Sequence, residues 1–116
     1  EDTAVEVRDG DTIVVDGVAV RFAGAHAPEL REAGGTAARH WMIENTRGSR
    51  IVCHLTGARS HGRRVGVCYN EAGDLAAQLI AAGLGRDCPR FSAGRYAALE
   101  TDAGRRLTLP AYCQPR

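Results

Sequence analysis

Two Asp-Gly pairs stand close together near the start of the chain, Asp9-Gly10 and Asp16-Gly17, each between short Val-rich runs. Asp-Gly suits the tight turns whose twist matches antiparallel strands. The pairs therefore predict three antiparallel strands: Ala4 to Arg8, Asp11 to Val15, and Val18 to Gly24. In the third, the period of two sets Val18, Val20 and Phe22 on one face and Ala19, Arg21 and Ala23 on the other.

A loop from His26 to Gly35 follows, carrying Pro28. Thr36 then opens a helix to about Thr46, with Ala37, Ala38, Trp41 and Met42 at helical spacing and Gly48 just past its end. Two further strands, Arg50 to Leu55 and Arg63 to Tyr69, form a second hairpin joined by a polar loop, Thr56 to Gly62. Asp74 is placed to cap a helix running to Ala82, with a buried stripe of Leu75, Ala76, Leu79 and Ile80. Ser92 is read as the cap of a third helix to Ala103, with Tyr96, Leu99 and Ala103 inward, and Leu107 to Arg116 as an irregular tail. Five short strands with a helix between the third and fourth predict a mainly β, α+β fold: a five-stranded OB barrel with three helices.

The length of 116 residues fits one domain, taken as 1–116, and 44% hydrophobic residues suffice for a core. No apolar run is long enough to span a membrane, so no membrane partner is expected. The polar start at Glu1 implies that any export segment was removed or never made. The net charge of +1 does not establish a nucleic-acid partner, although all 15 basic residues are Arg, whose planar fork fits phosphate. Four cysteines, Cys53, Cys68, Cys88 and Cys113, allow three pairings, and no CxxC spacing points to structural zinc. Counting back from the second hairpin loop sets Cys53 roughly opposite Cys68. A Cys88–Cys113 bond would pin the tail to the body. Such bonds would imply a secreted or periplasmic protein; four thiols in a cytosolic one is the alternative.

Three runs carry a resemblance to a known family. Val7-Arg8-Asp9-Gly10-Asp11-Thr12-Ile13 resembles the VxDGDT segment of thermonucleases, the staphylococcal nuclease-like family. Val20 to Glu29 resembles their RLxGIDAPE segment, and His61-Gly62-Arg63 their YGR. Asp74 to Leu84 resembles the helix that follows. The Cys53, Arg63, Cys68 arrangement is similar to a cysteine pair in secreted members. The resemblance spans nearly the whole chain, in order. It implies an OB-fold endonuclease that hydrolyses DNA or RNA phosphodiesters with one calcium ion. Carried over residue by residue, Arg21 and Arg63 stabilise charge on the phosphorane-like transition state, and Glu29 orients or activates water. Asp11 takes the place of one calcium carboxylate.

The chain departs from that pattern at two places. The second metal carboxylate is replaced by His26, a poor ligand for a cation that prefers hard oxygens. Three outcomes are open: weak calcium binding, a softer divalent metal, or none. The acid and tyrosine before the second arginine are replaced by Arg59 and His61, both read as substrate contacts on a more basic rim. These departures motivate an alternative function: a catalytically weak or inactive OB module that binds nucleic acid or another anionic ligand. A monomer is the default expectation for so small a barrel.

Overall fold

The structure, a computed structural model, describes residues 3–115; Glu1, Asp2 and Arg116, the ends of the expected domain, lie outside them. The chain is an α+β fold built on one mixed sheet. Strands β1 (Val5–Asp9), β2 (Thr12–Val15) and β3 (Val18–Phe22) form the expected antiparallel meander. The Asp16-Gly17 turn has positive φ at both residues, 48° and 84°, as a two-residue hairpin requires. The glycine of the other pair serves packing. A Cβ on Gly10 would lie 2.7 Å from the Ala38 Cβ and 2.8 Å from that of Ala27, so this turn is where the first hairpin presses on its neighbours.

A two-residue strand, β4 (Ala25–His26), precedes helix α1 (Gly35–Thr46). Helix α1 buries Ala38 and Met42 but leaves Ala37 exposed, so its apolar stripe is narrower than the spacing predicts. The second hairpin is β5 (Val52–Ser60) and β6 (Arg63–Asn70). The expected loop Thr56–Gly62 is mostly strand, and the turn proper is only His61-Gly62, with φ of 50° and 78°. A bulge between Leu55 and Arg59 absorbs the extra residues; there Thr56 Oγ1 donates to the Val65 carbonyl and accepts from the Ala58 N–H. Polar residues are tolerated because β5 is an edge strand with little covering it.

Strand β6 lies parallel to β3, with Val20 opposite Arg64, Arg21 opposite Val65 and Phe22 opposite Gly66. The sheet order is β1-β2-β3-β6-β5, and short β7 (Gly73–Asp74) adds to β6. No ladder joins β1 to β5 among the described residues, so the sheet is not a closed barrel. Its two edges approach at one end, where Thr3 donates its N–H to the Ser49 carbonyl and accepts from the Ile51 N–H through Oγ1.

Helix α2 (Leu75–Ala81) follows the sequence reading: Asp74 caps it through the Ala77 N–H, and Leu75, Ala76, Leu79 and Ile80 are buried. The expected third helix does not form as one piece. Ser92, expected as its cap, is instead the last residue of α3 (Pro89–Ser92), and the segment after it holds a 3-10 turn (Ala97–Leu99) and α4 (Asp102–Arg105), which gives four α-helices among the described residues where three are expected. The first break is at Ala93 and Gly94, both at positive φ. The second is at extended Glu100 and Thr101, where Thr101 caps α4 through the Gly104 N–H. Tertiary bonds outweigh helix propensity here: Tyr96 is buried, its hydroxyl donates to Asp74 Oδ2 at 2.6 Å, and its N–H donates to Asp87 Oδ1. Leu99 and Ala103, expected inward, are exposed.

The pair β4 with β8 (Arg86–Asp87) ties the two halves together. Ile13, Val20, Phe22, Met42, Leu75, Leu79, Ile80 and Tyr96 form one core between the sheet and helices α1 and α2. Each such side chain contributes about 1.5–3 kcal/mol by leaving water. Both cysteine pairs are disulfides, Cys53–Cys68 across the second hairpin and Cys88–Cys113 between α3 and the tail. The tail is otherwise irregular apart from one 3-10 turn, Ala111–Cys113.

Candidate active site

Asp11 follows the turn between β1 and β2 and is buried. Each of its two oxygens accepts a hydrogen bond. Oδ1 accepts from the Thr12 hydroxyl at 3.2 Å, and Oδ2 accepts from the Ala27 N–H at 2.9 Å. The Arg21 Nη2 lies 3.5 Å from Oδ2 and the His26 Nδ1 3.7 Å. One carboxylate thus fixes the start of the loop after β4, one strand arginine and one imidazole. Breaking such a buried pair by removing one partner is far costlier than the pair's net worth.

Arg21 reaches this point because Thr12 and Arg21 are register partners across β2 and β3. Its side chain is only 11% exposed. Nη1 donates to the carbonyls of Phe22 at 2.8 Å and Ala25 at 2.5 Å, which locks the guanidinium plane. Arg63 arrives from the other hairpin. Its Nη1 donates to Thr12 Oγ1 at 3.1 Å, while Nε and Nη2 hold the Ser60 carbonyl and hydroxyl across the tight turn. The Thr12 hydroxyl therefore relays between Arg63 and Asp11. A guanidinium carries five N–H donors, so both arginines keep donors beyond these bonds.

Glu29 is not drawn into this group. Its carboxylate is 63% exposed and sits 3.7 Å from Arg31, and its N–H donates to Glu32 Oε1. His61 is exposed at the hairpin tip. Arg59 is the register partner of Arg64, one pleat out of phase with the Ser60–Arg63 pair, so it lies on the opposite sheet face from Arg63. Asp11, Arg21, His26 and Arg63 are thus brought together. Glu29, His61 and Arg59 make no hydrogen bond or ion pair to the Asp11 group among the described residues.

Three further residues belong to the site. Thr12 is the bridge just described. Tyr112, carried by the tail, sets its hydroxyl 3.4 Å from His26 Nδ1 with the rings edge to face. Asp9 accepts from the Asp11 N–H, and its carboxyl is pushed up to about 7 by burial first and then by the neighbouring Asp11 carboxylate. His26 is held below the usual imidazole range, chiefly by burial, with Asp11 pulling the other way. Thr12 and Asp9 lie inside the VxDGDT-like run and were within reach of the sequence. Nothing in the sequence signals Tyr112, because its position depends on the Cys88–Cys113 bond.

The oxygens of Asp11 face N–H and hydroxyl donors and two basic side chains, and His26 Nδ1 faces Asp11 and Tyr112. Among the described residues no group of three or more His, Cys, Asp or Glu side chains is set to hold a metal ion. What the cluster offers is a pair of fixed guanidinium groups over a buried carboxylate, a setting suited to an oxyanion. The chain matches no family model and no curated protein.

Proposed function

We propose that the chain is a phosphodiester hydrolase of the thermonuclease kind, on an OB-type fold whose sheet stays open between β1 and β5, acting on DNA or RNA outside the cytosol. The observation that carries this reading is the convergence of Arg21 and Arg63 on Thr12 and Asp11 from separate hairpins. The OB assignment draws on the meander β1-β2-β3, the helix α1 that follows it, and the parallel return of β6 onto β3. The two disulfides are compatible with an oxidising compartment.

Attack on a phosphodiester spreads negative charge over the equatorial oxygens. Donors held rigid before the reaction stabilise that charge without reorganising. Arg21 is immobilised by two carbonyls and Asp11, and Arg63 by Ser60 and Thr12, so both meet this requirement. Glu29 orients the attacking water or takes its proton. Because its carboxylate is exposed and pairs with Arg31, this role requires loop residues 28–34 to bring it in when substrate binds. No step is assigned to a metal.

The position of Glu29 favours a second reading, a module that binds a polyanion without cleaving it. Cleavage of single-stranded DNA and RNA, with calcium, manganese or EDTA, separates the two. Loss of one charged oxyanion donor typically costs about 2.7–4 kcal/mol of barrier, or roughly two to three decades in rate. Arg63→Ala is expected to slow cleavage by that much, and Glu29→Gln is expected to lower kcat. Cleavage insensitive to both variants sinks the site; no cleavage by the unaltered protein leaves the binding module.

A further inference from the structure

Between Asn45 and Asn70 the sequence holds five arginines and no Asp or Glu. Arg47 pairs with Glu44, and the Arg50 N–H donates to Glu71. Arg63 belongs to the Thr12–Asp11 cluster on the other sheet face. The Arg50 bond uses only its backbone, so its guanidinium, like those of Arg59 and Arg64, has no ion pair among the described residues. Of these three, Arg59 and Arg64 face each other directly across β5 and β6. Like charges directly opposite in an antiparallel ladder destabilise it.

Arg64 carries a second cost. It shares with Gly66 and Cys68 the sheet face that lines the core, and its register partner Val20 is buried. Its Nε is buried and has no hydrogen-bond partner among the described residues. An unpaired buried donor costs about 1–3 kcal/mol. An oxyanion lying between the two would both accept from the unused Nε–H and offset the repulsion. Arg offers Nε–H and Nη–H as a parallel fork that matches two phosphate oxygens.

We propose that Arg59 and Arg64 form a second phosphate subsite, which holds the backbone of a single polynucleotide strand passing over the His61-Gly62 tip. The subsite lies on the reverse sheet face from Arg21 and Arg63, and binding turns the Arg64 guanidinium outward toward Arg59. The assignment rests on the nucleic-acid reading above, but not on catalysis.

The test uses the disulfide-intact chain and a fluorescent single-stranded oligonucleotide, checked to be intact after each titration in EDTA. Each phosphate contact to a single strand adds about 0.7 to the slope of log affinity against log salt. Arg59→Gln and Arg64→Gln are expected to lower that slope by about this amount each, while Arg105→Gln, a charge-matched control, leaves it unchanged. In ¹H–¹⁵N spectra the Arg64 Nε–H resonance is expected to move saturably with the oligonucleotide. An equal fall in slope for Arg105→Gln, or a stationary Arg64 resonance, overturns the subsite. Movement with inorganic phosphate at matched ionic strength but not with the oligonucleotide overturns the polynucleotide assignment in favour of a free-phosphate site. The two readings fail separately. Normal cleavage with a stationary Arg64 resonance removes the subsite alone; a shifted resonance and lowered slopes without cleavage remove the hydrolase alone.

Discussion

At the residue scale the site is governed by Asp11, whose two oxygens organise a strand, a loop and two basic side chains. Burying that carboxylate leaves a trace on its neighbour. Asp9 sits against Asp11, and its own burial first, then the Asp11 carboxylate, push its carboxyl up to about 7 from an ordinary value of 3.8. The folded state therefore binds this proton more tightly than the unfolded chain does. Stability from this group is fully present below pH about 4 and is lost as pH rises toward 7. Asp9→Asn keeps an oxygen for the Asp11 N–H and cannot ionise. In EDTA it is expected to be more stable than the parent at pH 8, with the advantage gone by pH 4. Denaturant midpoints across that range check it; a constant difference at every pH refutes the assignment.

At the scale of elements, short segments are held by side chains that do two jobs. Asp74 caps α2 with one oxygen and receives the Tyr96 hydroxyl with the other. A lost cap costs about 0.5–2 kcal/mol, and a charge-assisted hydrogen bond is worth about 1.5–3. Asp74→Ala is expected to cost more than a cap alone, and Tyr96→Phe to recover only the second part. A double-mutant cycle by urea denaturation reads the coupling, and additive losses contradict the shared role. Capping made α2 legible in the sequence, since Asp74 and the stripe Leu75, Ala76, Leu79 and Ile80 are local signals. The Ser92–Ala103 segment was misread for the converse reason. Its Ser and alanines favour helix locally, but Tyr96 is drawn to Asp74 and Asp87, and the chain breaks on either side to allow it.

At the scale of the whole molecule, the tail is part of the site. The Cys88–Cys113 bond, with a sequence separation of 25, holds the turn that sets Tyr112 on His26. On the chain-entropy model a loop of that size contributes about 3–4 kcal/mol. Replacing both cysteines, Cys88→Ser with Cys113→Ser, is expected to lower stability by that order and to free the His26 ring from its contact. Denaturation measures the first, and the His26 ring resonances in NMR the second. Unchanged His26 resonances would show that the tail docks without the disulfide.

Local order was written in the chain by itself. The Asp-Gly turns, the alternation in β3, the Asp74 cap and the facing cysteines of the second hairpin rest on contacts between residues near in sequence, whose patterns survive in a one-dimensional reading. The meeting of Arg21, Arg63 and Asp11 was expected only through resemblance, and the structure shows how it is made. Thr12 bonds to a residue of a different hairpin, and Arg21 is aimed by carbonyls that no pattern encodes. The open sheet edge, the broken third helix, the exposed Glu29 and the docking of Tyr112 were decided by tertiary structure alone. Each depends on groups distant in sequence competing for the same hydrogen bonds and the same buried space, and that competition is resolved only when the chain is folded.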